Sequence, residues 1–308
     1  MPILGAHQSI AGGFYRAVER ASAVGGQCVQ LFTSNPRQFP IQFRSGKFLT
    51  KNNNQWRAKP ITPDEADAFR AALKRLGVAH PIAHDSYLIN LGSSDRLLWQ
   101  KSVDAFVEEL LRAELLGIPY VVTHPGAGGD AGDEVGLNNI VRALDEVHRQ
   151  TRGLSARCLL ETTAGQGSAI GWKFEHLAAI LEAVRESDRL GVCFDTCHVF
   201  AAGYDFGTKK SYDETMADFD RLIGLDRIKA FHLNDSLRER GSRVDRHAHI
   251  GRGKLGSAAF QLLLNDARFE KVPMYLETPK GEENGEDLDV INLRTLRGLE
   301  GKKKRARR

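Results

Sequence analysis

Nine side chains of this 308-residue chain have the types and spacing of metal ligands: His84, His124, Glu161, Asp195, His198, His232, Asp245, His247 and Glu277. Each stands at or just beyond the end of a short apolar run: PIAHD, YVVTH, CLLET, VCFDTCH, IKAFHLN with the DRH that follows it, and MYLET. A lone histidine at such a place is ordinarily a satisfied core residue, and a lone carboxylate ordinarily caps a helix. Recurrence over six consecutive runs asks for another cause, because nine such groups converging on one place are costly to bury without cations. Imidazoles mixed with carboxylates suit Zn2+ or Mn2+, whereas Mg2+ and Ca2+ prefer oxygen alone. A catalytic zinc keeps about three protein ligands and an open position, so nine residues with one bridging carboxylate divide into three ions.

The densest stretch, GVCFDTCHVFAAGYD (191–205), holds four possible ligands in six positions: Cys193, Asp195, Cys197 and His198. The two thiols, or the aspartate and histidine, could hold an ion, or the stretch could be a buried strand with incidental polar residues. All four cysteines (Cys28, Cys158, Cys193, Cys197) sit in or beside apolar runs, and none has the paired CxxC partner of a zinc ribbon. Buried free thiols acting as small hydrophobes are the expectation. Asp195 and His198 are then expected to face the site, with Cys193 on the apolar side of its strand and Cys197 against the following turn.

The elements that must position these groups are legible in the pattern. Eight apolar, β-branched-rich runs begin with ILGAH (3–7) and CVQLFT (28–33) and end with MYLET (274–278). Runs apolar on both faces are expected of parallel strands covered by helices. Helical patterns lie between them, for example PDEADAFRAALKRLG and LLWQKSVDAFVEELLRAELLG, several closing on a basic residue and then glycine. Eight β-then-α units predict an α/β fold, a single (β/α)8 TIM barrel, with its chemistry at the C-terminal ends of the strands. A doubly wound open sheet is the alternative, but no GxGxxG follows the first strand. The barrel domain is expected over 1–285, with 286–308 a C-terminal extension ending in a disordered, basic tail.

Composition narrows the class. Apolar residues make up 42% and charged residues 27%, the balance of an ordinary soluble protein. Neither a signal peptide nor a membrane-spanning run is evident, so a cytoplasmic protein without membrane contact is expected. The net charge is +4, but the terminal GKKKRARR carries six positive charges, so the rest of the chain is mildly acidic. Residues 34–60 form a second basic segment, with six basic residues, no acidic one and aromatics throughout. Basic residues interleaved with aromatics on the catalytic face of a barrel suit nucleic acid.

HDSYLIN (84–90), HPG (124–126), ETTAGQG (161–167), GVCFDTCHVFAAGYD (191–205), HLND (232–235), GSRVDRH (241–247) and LET (276–278) together resemble endonuclease IV, a family of apurinic/apyrimidinic (AP) endonucleases with three zinc ions. GAHQSIAGG (5–13) and LFTSNPRQF (31–39) are similar to its N-terminal and DNA-contact segments. The resemblance implies that His84 and His124 hold a first zinc, which Glu161 bridges to a second completed by Asp195, His232 and Glu277. It implies that His198, Asp245 and His247 hold the third, with Mn2+ possible in part, and that Glu161 and Glu277 belong to the catalytic set. Arg37 matches the arginine that enters the duplex at the lesion, and Tyr87 and Leu88 the neighbouring wedge. The chain departs from the family at Thr162 (usually Asn), Leu237 (usually Lys), Phe39 (usually Trp) and GRG 251–253 (usually GEG). No ligand is lost.

The implied substrate is duplex DNA containing AP sites or 3′-blocked ends, cut 5′ to the lesion to leave a 3′-hydroxyl and a 5′-deoxyribose phosphate, by a monomer. Coordinated metal would make hydroxide available at neutral pH and neutralise charge on the phosphodiester. Two rivals share the residues in part. A divalent-metal sugar isomerase or epimerase would use the same barrel but leave DRH and the basic segment without a role. A lesion-binding protein without hydrolysis would be expected to lack a ligand.

Overall fold

Eight short strands, apolar along most of their length, pair in parallel and close into a barrel: β1 (Ile3–His7), β2 (Cys28–Phe32), β3 (Ala79–His84), β4 (Tyr120–Thr123), β5 (Arg157–Glu161), β6 (Leu190–Asp195), β7 (Ile228–Leu233) and β8 (Pro273–Leu276). Each pairs with its neighbours in sequence, and β1 closes on β8 with Ile3 opposite Pro273 and Ala6 opposite Leu276. This computed structural model describes residues 1–33 and 59–301. Arg37, Phe39, most of the basic 34–60 segment and the tail at 302–308 therefore lie outside the described residues.

The helices follow from local chemistry. They are α1 (Phe14–Ala23), α2 (Pro63–Leu76), α3 (Arg96–Leu116), α4 (Gly132–Gln150), α5 (Phe174–Ala183), α6 (Thr196–Ala202), α7 (Lys209–Leu222), α8 (Ser257–Leu264) and α9 (Leu288–Gly298). In α2, Thr62 and Glu65 form a capping box, Pro63 opens the first turn, and Gly77 ends the helix in the left-handed conformation. α2 and α3 fall within a residue of the spans their periodicity predicts. Arg112 of α3 is buried, and its guanidinium donates to the carbonyls of both Thr33 and Lys59. The two ends of the 34–58 segment are thus tied to one side chain.

The barrel end differs from its sequence-based boundary. α9 begins at Leu288 behind an Asp287 cap and buries Leu293 and Leu296 in the same core as the strands. The helix that follows β8 thus packs on the barrel, beyond the residue-285 boundary expected from the sequence.

Inside the barrel, Cys28, Ile82, Val122, Leu159, Cys193, Ala230 and Tyr275 pack into one apolar cluster. The eighth strand position is Gly5, where a Cβ would come 1.9 Å from the Cys28 carbonyl oxygen, so only glycine fits. Tyr275 fills the barrel and donates its hydroxyl to the His80 carbonyl at 2.6 Å. Burying each large apolar side chain in this plug contributes about 1.5–3 kcal/mol. Side chains alternate along a strand, so residues two positions on point the same way, toward the C-terminal mouth. Those residues are His7, Gln30, His84, His124, Glu161, Asp195, His232 and Glu277. All eight are polar.

Candidate metal centre

Six of the nine expected ligands lie in that upper layer. The other three stand over it: His198 on α6, and Asp245 and His247 in the loop after β7. Asp195 ends β6 and caps α6, accepting the His198 amide at 2.8 Å, which points the His198 ring back over the mouth. The nine fall into three groups, in each of which one donor atom from every member lies within 4.8 Å of the others: His84, His124 and Glu161; Glu161, Asp195, His232 and Glu277; and His198, Asp245 and His247.

Glu161 is fully buried at the centre. One carboxylate oxygen lies 3.0 Å from His84 Nε2 and 3.2 Å from His124 Nε2. The other lies 2.9 Å from His232 Nδ1 and 3.3 Å from His198 Nδ1. Glu277 adds an oxygen 3.2 Å from His232 Nδ1, and Asp245 lies 3.3 Å from His198 Nε2 and 3.2 Å from His247 Nε2.

Four of the five histidines have one ring nitrogen tied to an acceptor. His84 Nδ1 meets the Asp85 carbonyl at 2.9 Å, His198 Nδ1 the Thr162 carbonyl at 2.8 Å, and His247 Nδ1 the Glu277 carbonyl at 3.2 Å. His232 Nε2 meets Gln30 Oε1 at 2.7 Å. Such bonds fix the tautomer and leave the opposite nitrogen bare toward the carboxylates, as metal-binding imidazoles require. The donor set, its grouping and these outer bonds fit bound metal ions.

The electrostatics agree. Burial disfavours a charged imidazole, yet Asp195, Asp245 and Glu161 hold His198 well above its ordinary value. His247 is likewise opposed by burial but lifted by Asp245 and Asp195, to about 9. Burial would raise Glu161, but His232 and His124 pull it well below the carboxylate range. Glu161, Asp245 and Glu277 are thus all held below the carboxylate range, while burial raises Asp195; the ionised carboxylates demand positive charge, which a metal supplies by displacing protons from the rings.

The cysteines take no part in the three groups. Cys193 shares a strand face with Asp195 but sits one layer deeper, in the apolar plug rather than on an opposite apolar side. Cys197 does approach Asp195 and His247. Burial, then Asp195, pushes its thiol up to about 12, and its Sγ donates to the Arg246 carbonyl at 3.7 Å.

Tyr87 is 73% exposed beside the site, its ring 5.9 Å from that of His84, while Leu88 behind it is half-buried. Three departures from the family pattern have visible roles or places. Thr162 accepts the Asp195 amide through Oγ1 at 2.9 Å and the His198 ring through its carbonyl, so it orients two of the expected ligands. Arg252 is a surface residue paired with Glu283 at 2.7 and 2.8 Å, while Gly253 packs against Asp235, where a Cβ would clash at 2.4 Å. Leu237 is exposed.

Sequence reading passed over four residues here: His7, Gln30, Asp85 and Asn234. Asn234 donates to Asp195 Oδ2 at 2.7 Å and accepts the Glu277 amide at 2.9 Å. Asp85 lies 3.4 Å from His84 Nδ1 and accepts from Thr123. Burial drives His7 down to about 3, so its neutral Nδ1 can accept from Gln30 at 3.0 Å. A usable signal existed, since a glutamine inside the apolar run CVQLF needs a buried partner.

A model of the xylose isomerase-like TIM barrel family matches residues 18–297. A probable endonuclease 4 of Chloroflexus aggregans is 49% identical over 299 residues, covering 97% of this chain and 98% of its own. One from Geotalea daltonii is 45% identical, covering 96% and 97%. The crystal structure of endonuclease IV from Thermus thermophilus superposes with a TM-score of 0.80 at 36% identity, over 97% of this chain and 98% of that one. A D-psicose 3-epimerase has a TM-score of 0.62 at 14% identity, over 95% and 93% of the two chains, a likeness of fold.

Proposed function

The chain belongs to the endonuclease IV family of AP endonucleases, and on that footing we propose that it cuts duplex DNA at abasic sites with three zinc-class ions held by the nine mouth residues. It is a DNA-repair endonuclease. The observation that supports the three-ion reading is the arrangement of the ligands in three adjacent groups, two of which share Glu161. His84 and His124 would hold the first ion, with Glu161 bridging to the second. Asp195, His232 and Glu277 would complete the second, and His198, Asp245 and His247 the third. Such ions, when bound, make hydroxide available at neutral pH and neutralise a phosphodiester.

The protein's own share is positioning. Water adds across the bond: its oxygen forms a P–O bond as the P–O3′ bond breaks, and one of its protons ends on the departing 3′ oxygen. The product ends are a 3′-hydroxyl and a 5′-deoxyribose phosphate. Glu161, fully buried, and Glu277 keep the ligand set fixed at the barrel mouth while the reacting groups align. Tyr87 and Leu88 stand at the rim, where an exposed aromatic ring and an aliphatic neighbour can wedge into a gap left by a missing base. Arg37 would join them in that role. The same geometry should release 3′-blocking sugar fragments. All nine ligands come from one chain, which suits a monomer, and the cytoplasm is where bacterial DNA lies. No described helix is long and apolar enough to cross a membrane.

A duplex carrying one tetrahydrofuran AP analogue tests the reading. The zinc-loaded protein should nick it once, 5′ to the analogue, and chelator should abolish the cut. An intact duplex, with turnover of a ketose instead, would favour the epimerase chemistry of the same fold.

A further inference from the structure

Six strands give the mouth a ligand, while β1 and β2 contribute His7 and Gln30 at the equivalent level. Gln30 is fully buried, where an amide without partners would cost about 1–3 kcal/mol. Besides the neutral His7 Nδ1, its partners are two of the expected ligands. The amide nitrogen donates to Glu277 Oε1, and the amide oxygen lies 2.7 Å from His232 Nε2. This orientation is forced. An ionised carboxylate only accepts, so the amide nitrogen must face Glu277 and the oxygen must face His232. The His232 nitrogen meeting that oxygen must then carry the ring proton, which leaves Nδ1 bare toward Glu161 at 2.9 Å and Glu277 at 3.2 Å.

We propose that Gln30 is a positioning residue of the metal centre, one amide that sets the tautomer of His232 and the rotation of Glu277 at the same ion. The inference rests on the three-ion reading and adds a role for β2, which supplies no ligand itself. Asn234 clamps the same ion position from the other side, through Asp195 and the Glu277 amide. Gln30 differs in touching two ligand side chains at once. Outer partners of this kind change metal affinity by about 10–100-fold.

The test is metal release. Zinc-loaded wild type, Gln30→Met and Gln30→Ala are mixed with excess chelating dye, and each equivalent of zinc is followed as it leaves. Both variants should release one of three equivalents about 10–100-fold faster, with the other two near the wild-type rate. Uniform release at the wild-type rate, with only a lower Tm, would make Gln30 a packing residue and overturn the proposal. Wild-type protein needs no variant for the second measurement. Histidine 15N NMR of the zinc-loaded form should find His232 protonated at Nε2, and a proton at Nδ1 would equally overturn it. Wild type holding fewer than three zinc ions would instead break the underlying reading, and shows before any variant is compared.

Discussion

Replacing Glu161 by glutamine removes one negative charge from the point where four imidazoles converge. The carboxylate is fully buried, with ring nitrogens 2.9, 3.0, 3.2 and 3.3 Å from its two oxygens, so water cannot screen the loss. A glutamine keeps the shape but offers one neutral oxygen, and turns an NH2 toward one pair of those ring nitrogens. Removing one partner of a buried charge pair costs about 3–5 kcal/mol. At 1.4 kcal/mol per decade this is roughly a 100- to 4,000-fold loss in retention of the ions it joins. Elemental analysis after dialysis should find the Glu161→Gln protein depleted in zinc, and nicking of an AP-analogue duplex should fall by at least two decades. Circular dichroism should be unchanged, because the apolar plug beneath Glu161 is untouched. A variant with full zinc and activity within about tenfold of wild type would refute the bridging role.

Tyr87→Ala should weaken binding to AP-site duplex by roughly 5- to 150-fold, the ~1–3 kcal/mol of a base–aromatic contact, while metal content stays at the wild-type value in elemental analysis. Deleting 302–308 should flatten the dependence of log affinity on log salt, by ~0.9 for each phosphate no longer neutralised, with the saturated cleavage rate unchanged; identical slopes would mean that the tail touches no DNA. His148 is buried with Nδ1 unpartnered, and burial, aided by Arg189, lowers it to about 4. A histidine whose folded value is depressed gives stability that is complete above 6.5 and lost as pH falls toward 4. The loss of stability between pH 7 and 5, measured by urea unfolding, should therefore be roughly 1–2 kcal/mol smaller in His148→Leu than in wild type.

The strands and the candidate ligands at their ends were legible because two local patterns coincide. A short run apolar on both faces marks each strand, and the polar residue that interrupts it at the C-terminal end marks the mouth. Glu161 in CLLET and Asp195 in VCFDT stand out for that reason. Gln30 and His7 obey the same register, but a scan for clustered charge overlooks an uncharged amide and a histidine on strands without ligands. Asn234 is hidden differently, since its partners, Asp195 and the Glu277 amide, are distant in sequence. α9 was missed because its acidic approach, GEENGEDLD, reads as solvated chain, whereas Leu293 and Leu296 find their partners only once the barrel has closed. Cys193 shows the limit of strand-face reasoning: direction follows from sequence, but depth along the barrel depends on where the plug ends.

Anomalous diffraction at the zinc edge, from crystals of protein never exposed to chelator, tests the central claim most directly. Three peaks per chain are expected: one among His84, His124 and Glu161, one among Glu161, Asp195, His232 and Glu277, and one among His198, Asp245 and His247. A single peak, or peaks that leave Glu161 uncoordinated, would contradict it.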